Sequence, residues 1–76
     1  MLTVEKEKGL KEFGAFLREA RENAGLYQTD VAKKVGISRG YYAHIENGSR
    51  EVNLMKALEI CCALDLSISD FEKRME

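Results

Sequence analysis

Residues 28–48 constrain the fold more than any other stretch, because they have the pattern of two short helices joined by a tight turn. Gly36 can supply the left-handed residue that a sharp turn between helices requires. Ser38 can cap the second helix, and Gly48 can end it with a positive φ. Apolar side chains recur at helical spacing at Val31, Val35, Ile37, Tyr42 and Ile45. The stretch is therefore a helix-turn-helix, whose second helix has the size that enters a DNA major groove.

Composition indicates an all-α protein of one domain, residues 1–76. The chain has no proline, and 45% of its residues are hydrophobic. Ala, Leu, Lys and Glu are frequent, which favours helices. No apolar run approaches the ~20 residues of a membrane span, and no leader marks the chain for secretion. We expect a five-helix bundle in the cytoplasm, with no membrane partner.

Charge is distributed unevenly along the chain, although the formal net charge is only −1. Residues 1–27 are neutral, residues 28–50 carry +2 and residues 51–76 carry −3. The positive excess therefore lies on the predicted DNA-reading unit, where contact with phosphates would need it. Lys33 and Lys34 contribute to this excess, and we expect them on a solvated face.

Further residues around the helix-turn-helix complete a specific pattern. It comprises Leu17-Arg18, Arg21, Gly25-Leu26, Gln28, Val31-Ala32, Val35-Gly36-Ile37-Ser38, Tyr41-Tyr42, Ile45-Glu46, Gly48, Arg50, and Leu58 to Leu66 followed by Ser67-Ile68-Ser69-Asp70-Phe71. In these residues the chain resembles the helix-turn-helix family of lambdoid phage repressors (XRE type), restriction–modification controller proteins and similar small bacterial regulators. The resemblance covers about residues 10–72.

The predicted DNA contacts lie on the third helix, about 39–47, and at its flanks. Arg39 is the best base reader, because a guanidinium can bind guanine O6 and N7 together. The resemblance implies that His44 also reads a base or touches a phosphate. Gly40 occupies a further reading position, where it either allows close approach to the groove wall or leaves a base unread. The expected contacts to the DNA backbone come from Gln28, Ser38, Tyr41, Asn47 and Arg50.

The resemblance also implies structural roles for residues behind the reading face. Arg21 is expected to pair with Glu46 and tie the first helix to the third; the alternative is two independent surface charges. Gln28 is expected to buttress Arg39 at the start of the second helix, about 28–35. Tyr42 is expected to pack inside the domain.

Tyr27 and Phe16 depart from the patterns expected of the first two helices. The second helix has Tyr27 at its N-cap position, where a Ser or Thr is usual, so its first turn depends on Thr29 and Asp30. The first helix shows an apolar stripe and closes at Gly25. Phe16 lies off that stripe, so we expect it to be partly exposed or packed on a neighbouring chain. The stripe consists of Leu10, Phe13, Leu17, Ala20 and Ala24.

Helices four and five, within residues 53–75, are predicted to dimerise. Helix four, about 53–64, has a core face of Leu54, Ala57, Leu58, Cys61 and Leu64. It is apolar most of the way round, which indicates cover on a second side by another copy of the chain. Ser69 and Glu72 form the expected capping box of the last helix. The predicted dimer interface comprises Ile60, Cys62, Leu66, Ile68, Phe71 and Met75.

No residue pattern of an enzyme, a metal site or a cofactor site is present in the sequence. Cys61 and Cys62 are adjacent on a helix, so they cannot easily pair and are expected to be small buried apolar residues. His44 and Glu46 are two residues apart on a helix, so their side chains diverge. These observations argue against catalysis.

The sequence therefore predicts a homodimeric transcriptional regulator that binds a palindromic operator in double-stranded DNA, with RNA polymerase as a further candidate partner. A restriction–modification controller, regulated by its own dimer concentration, is the preferred assignment. A phage-type repressor or an antitoxin is the close alternative. A protein-interaction module with vestigial DNA binding is the rival from another class. The protein is expected to be of bacterial or phage origin and to be associated with the nucleoid.

Overall fold

The computed structural model describes residues 6–76, which form five α-helices. They are α1 (Lys6–Asn23), α2 (Gln28–Val35), α3 (Arg39–Asn47), α4 (Leu54–Ala63) and α5 (Ile68–Met75). The described part of the chain contains no strand, so the predicted all-α, five-helix fold is confirmed. None of these helices is both long and apolar enough to cross a membrane.

The turn between α2 and α3 has the chemistry that the sequence predicts. Gly36 ends α2 with a φ of 74°, and Gly48 ends α3 with a φ of 73°. Ser38 caps α3, because its Oγ accepts a hydrogen bond of 3.1 Å from the backbone N–H of Tyr41. These residues provide hydrogen bonds to backbone groups at the helix ends that would otherwise lack partners.

The N-terminus of α2 has no capping side chain at Tyr27 and is stabilised by Asp30 instead. Tyr27 offers no capping side chain, but its own backbone N–H donates to Asp30 Oδ2 at 2.7 Å. The carboxylate of Asp30 also lies in the first turn, where the helix dipole favours negative charge. At the other end of α2, Lys56 Nζ donates to the carbonyl of Val35 at 2.8 Å, and so joins α4 to α2.

The core lies where α1, α2, α3 and α4 meet. Its most deeply buried side chains are Leu17, Val31, Tyr42, Ile45 and Ile60. Around them pack Phe13, Phe16, Ala32, Val35, Ala57, Cys61 and Leu64.

Helix α1 crosses α3 at Gly14, with almost no space between the two backbones. A Cβ atom at Gly14 would lie 2.6 Å from the carbonyl oxygen of Ile45 and closer still to that of Glu46. Only a residue without a side chain fits there. This contact fixes the position of α3 relative to α1, and the sequence patterns did not predict it.

Two expectations about apolar faces are wrong. Phe16 is buried, because α5 adds a second apolar side to α1: the ring of Phe71 lies 5.2 Å from that of Phe13 and 5.4 Å from that of Phe16. Ile60, expected in the dimer interface, is fully buried in the core of its own chain and offers no surface to a partner.

The register of the two last helices also differs from the prediction. The core side of α4 is formed by Ala57, Ile60, Cys61 and Leu64, whereas Leu54 is exposed and Leu58 is half-buried. Cys61 is buried as expected, but Cys62 is exposed.

The predicted capping box at Ser69 is wrong, since Ser69 lies inside α5. Ser67 caps this helix, because its Oγ accepts a hydrogen bond of 3.3 Å from the backbone N–H of Asp70. The Asp70 carboxylate in turn accepts a hydrogen bond of 3.1 Å from the backbone N–H of Ser67. The capping box therefore has the predicted spacing of three residues, but it is formed two positions earlier, by Ser67 and Asp70.

Candidate nucleic-acid interface

One face of α3 presents the residues predicted to read DNA. Arg39, Gly40, His44 and Asn47 are all exposed, and at 100° per residue they fall within one arc of the helix. The opposite face carries Tyr42, Ile45 and Glu46 into the core. The structure therefore brings the three predicted base readers and Asn47, a predicted contact to the DNA backbone, together on a surface that residues 6–76 leave open.

Arg39 is held at the start of this face by a chain of hydrogen bonds. Its Nη1 donates to Gln28 Oε1 at 3.3 Å, and Gln28 Nε2 donates to Glu46 Oε1 at 3.0 Å. An ionised carboxylate can only accept, so Glu46 orients the amide with its nitrogen inward and its oxygen toward Arg39. The buried carboxylate thereby positions the predicted base reader through Gln28.

Glu46 is itself held by Arg21. Arg21 Nε donates to Glu46 Oε2 at 2.7 Å and Nη2 donates to Oε1 at 3.1 Å, while Nη1 donates to the carbonyl of Leu26. The Glu46 side chain is fully buried, and that of Arg21 is 12% exposed. The two charges form a bidentate pair inside the domain, not two independent surface groups.

Burial and pairing act in opposite directions on Glu46. Burial acts to raise the pKa of Glu46, but the hydrogen bonds from Arg21 and Gln28 outweigh it and hold the pKa below its ordinary value. Burial, with the adjacent Glu46 charge, raises the pKa of Tyr42, whose buried hydroxyl has no hydrogen-bond partner among residues 6–76. At neutral pH the pair is therefore ionised and Tyr42 is neutral.

The C-terminal end of α3 is tied to residues that sequence reasoning assigned no such role. Arg18 Nη2 donates to Asn47 Oδ1 at 2.9 Å, and its Nε lies 3.6 Å from Glu46 Oε1. Ser49 contacts the side chain and the carbonyl of His44. Two signals pointed to Arg18: it belongs to the residues that carry the family resemblance, and it lies three residues before Arg21, so both side chains face α3.

The loop after α3 engages both Tyr41 and Arg50, which were predicted to contact the DNA backbone. The Tyr41 hydroxyl donates to the carbonyl of Glu51 at 3.0 Å, and the guanidinium of Arg50 lies 5.5 Å from the centre of the Tyr41 ring. Arg50 is exposed. Lys6 forms an ion pair with Glu51 on the far side of this loop.

Hydrogen-bond donors and cations are exposed on α2, on α3 and in the loop that follows α3. Ser38 Oγ accepts from a backbone N–H, so its own hydroxyl hydrogen is free to donate. Lys33 and Lys34 are exposed as predicted, and Arg39 and Arg50 add two more cations. Among residues 6–76, no group of three or more His, Cys, Asp or Glu side chains is arranged to hold a metal ion.

Comparison with known proteins agrees with this geometry. The family model described as Helix-turn-helix matches residues 17–71. The chain is 34% identical over 65 residues to the control protein C.MunI of Mycoplasma sp, covering 84% of this chain and 88% of that protein. It is 35% identical over 60 residues to the ImmF control region 10 kDa protein of Bacillus phage phi105, covering 76% and 67%.

Two solved structures share the fold. The restriction–modification controller protein C.AhdI from Aeromonas hydrophila aligns with a TM-score of 0.76 and 37% identity, over 82% of this chain and 94% of that one. The C.Esp1396I controller, solved as a tetramer in complex with its natural 35-base-pair operator, aligns with a TM-score of 0.76 and 26% identity, over 87% of each chain.

Proposed function

This chain belongs to the helix-turn-helix family of DNA-binding transcription regulators, and from that premise we propose that it binds a palindromic operator as a homodimer. One α3 would enter the major groove of each half-site, and the half-sites would lie about one helical turn, ~34 Å, apart. The family is one of regulators, not of enzymes.

The observation that carries this proposal is the presentation of Arg39. Its guanidinium stands on the exposed face of α3, held by Gln28, whose amide is oriented by the buried Glu46. A preorganised guanidinium at the start of a recognition helix suits bidentate binding to guanine O6 and N7. We assign base contacts to Arg39, Gly40 and His44.

Contacts to the sugar–phosphate backbone would set the register of α3 in the groove. We assign them to Gln28, Ser38, Tyr41, Asn47 and Arg50. Ser38 has a free hydroxyl hydrogen, and Arg50 stands exposed against the Tyr41 ring. Because each neutralised phosphate releases counterions, affinity should fall steeply with added salt.

A second copy of the chain would cover the outer side of α4 and α5. Leu66, Phe71 and Met75 remain half-buried, and Cys62 and Ile68 are exposed. These five residues form the proposed dimer surface, from which Ile60 is now removed. A groove of about 500 Å³ between α1 and α5 adjoins it, lined by Leu10, Phe71 and Met75 among others.

We further propose that the regulator controls a restriction–modification system. The similarity to C.MunI and C.AhdI supports this assignment, while the similarity to a phage control-region protein keeps a phage-type repressor as the alternative. RNA polymerase is the proposed protein partner in transcription. The site of action would be the nucleoid, in the cytoplasm of the host.

Selection of bound duplexes from a random pool tests the function. Wild type should enrich a palindrome, and Arg39→Ala should lose a guanine preference from each half-site. Lys73→Ala, which removes the same charge from α5, is the matched control and should leave the selected sequence unchanged. If wild type enriches nothing, the DNA-binding proposal fails, and the interaction-module alternative takes its place.

Sedimentation over a concentration series tests the dimer. Wild type should pass from monomer to dimer mass as concentration rises, and Ile68→Glu should stay a monomer because a charge would be buried at the interface. Thr29→Glu, which places the same charge on the exposed first turn of α2, outside the proposed dimer surface, should dimerise normally. A wild-type chain that remains at monomer mass would refute the assembly.

A further inference from the structure

Ser49 makes two contacts to His44 at the end of α3. Its Oγ lies 3.0 Å from His44 Nδ1 and 3.2 Å from the His44 carbonyl oxygen. The backbone N–H of Ser49 donates to the same carbonyl at 3.0 Å. Gly48 turns the chain back in the left-handed conformation, and this turn holds the Ser49 side chain against the imidazole ring.

Which nitrogen of His44 carries the proton depends on the acceptor to which the Ser49 hydroxyl donates, and the geometry at the His44 carbonyl fits that donation. A serine hydroxyl has one hydrogen, and a carbonyl oxygen can only accept. When the hydroxyl hydrogen is donated to the carbonyl, Oγ faces Nδ1 with a lone pair. Nδ1 must then be the donor, so the neutral ring carries its hydrogen on Nδ1 and leaves Nε2 as an acceptor.

We propose that Ser49 is a specificity-determining positioning residue, which holds His44 as the Nδ1–H tautomer so that its bare Nε2 reads an exocyclic amino group. The groups of this kind in the major groove are N6 of adenine and N4 of cytosine. His44 therefore selects an amino base, whereas Arg39, which only donates, selects the keto base guanine. This inference rests on the proposed function for its base contact, but the tautomer itself does not need DNA.

Nuclear magnetic resonance of the free protein tests the tautomer directly. His44 is the single histidine of the chain, so long-range ¹H–¹⁵N correlations of the imidazole are unambiguous. At about pH 8, where an ordinary imidazole is neutral, wild type should show a protonated Nδ1 and a bare Nε2. Ser49→Ala should shift toward the Nε2–H form that histidine favours in water, and Ser49→Thr, which keeps the hydroxyl, should retain the wild-type pattern.

Duplex selection tests the base preference. His44→Ala identifies the half-site position that depends on the ring, and wild type should enrich adenine or cytosine there. Ser49→Ala should reduce that amino-over-keto preference by about threefold to tenfold, the range of one hydrogen bond. Ser49→Thr should restore it, and the guanine preference that depends on Arg39 should not change in either variant.

Two results would overturn the proposal. One is a protonated Nε2 in wild type with no difference between wild type and Ser49→Ala. The other is enrichment of guanine or thymine at the position that depends on His44. If wild type binds no duplex, the proposed function fails, and the resonance experiment still decides whether Ser49 sets the tautomer.

Discussion

Helix α1 is joined to α3 and to α5 by arginine–carboxylate ion pairs that lie in two different environments. Arg21 and Glu46 lie inside the domain, next to the close crossing at Gly14. Arg74 bridges Glu12 and Glu19 on the surface, and α5 contains no fully buried residue. The helix-turn-helix is thus fixed by contacts within one chain, whereas α5 is only partly covered by the residues that the structure describes.

The largest difference between the two regions should appear when each arginine is removed. Arg21→Ala leaves Glu46 buried without its partner and should cost about 3–5 kcal/mol of the free energy of unfolding. Arg74→Ala, the matched change on the surface, should have little effect, because exposed pairs are screened by water. Urea unfolding of both variants measures this. Equal losses would contradict the contrast.

The crossing at Gly14 gives the next largest effect. Gly14→Ala places a Cβ against the carbonyl oxygens of Ile45 and Glu46 and should cost about 2–3 kcal/mol. Since α3 must move to relieve the clash, DNA affinity should also fall. Urea unfolding, with Gly40→Ala as its control, and a duplex titration of Gly14→Ala against wild type check these outcomes. A Gly14→Ala variant as stable as wild type would show that α1 and α3 can separate freely.

Acid should weaken the region around Glu46. Its pKa is lower in the folded protein than its ordinary value of 4.5, so unfolding takes up a proton in acid. Its stabilisation is therefore present above pH 4.5 and is lost as the pH falls through the lower folded value. In unfolding experiments from pH 7 to pH 3, Glu46→Gln should lose less stability than wild type. If the free energies of unfolding of wild type and Glu46→Gln fell in parallel with pH, Glu46 would not be the group responsible for the loss of stability in acid.

The smallest effect is expected at Gly40, the second residue of α3. A Cβ there would meet nothing within 4 Å, so Gly40→Ala should stabilise the protein by about 0.5–1 kcal/mol. Thermal unfolding checks the sign. Its DNA affinity decides between the two interpretations of this glycine: a loss indicates close approach to the groove wall, and no loss indicates an unread base.

Local chemistry made α2 and α3 predictable. Ser38, Gly36 and Gly48 act on backbone groups within four residues of themselves, so their effect can be seen in sequence. The exposed face of α3 follows from the same helical period that buries Tyr42 and Ile45. The Arg21–Glu46 pair was expected only through the family resemblance, because the two residues are 25 positions apart.

The apolar helices were predicted less well. In α4 two neighbouring stripes are almost equally apolar, and periodicity alone assigned Leu54 to the core and Ile60 to a partner. In α1 the position of Phe16 depends on Phe71, which is 55 residues later in the chain. The capping box was placed two residues late because polar residues at both Ser67 and Ser69 satisfy the pattern.

The sequence by itself determined the all-α fold, the ends of α2 and α3 and the face that α3 turns outward, because caps, glycines and helical periodicity act over a few residues. Only the tertiary structure decided how that face is held. The hydrogen bond between Gln28 and Arg39 joins residues 11 positions apart, and that between Arg18 and Asn47 joins residues 29 positions apart. The crossing at Gly14 joins residues that are still farther apart in the chain. Such contacts exist only after packing has brought the helices together, so no local pattern records them.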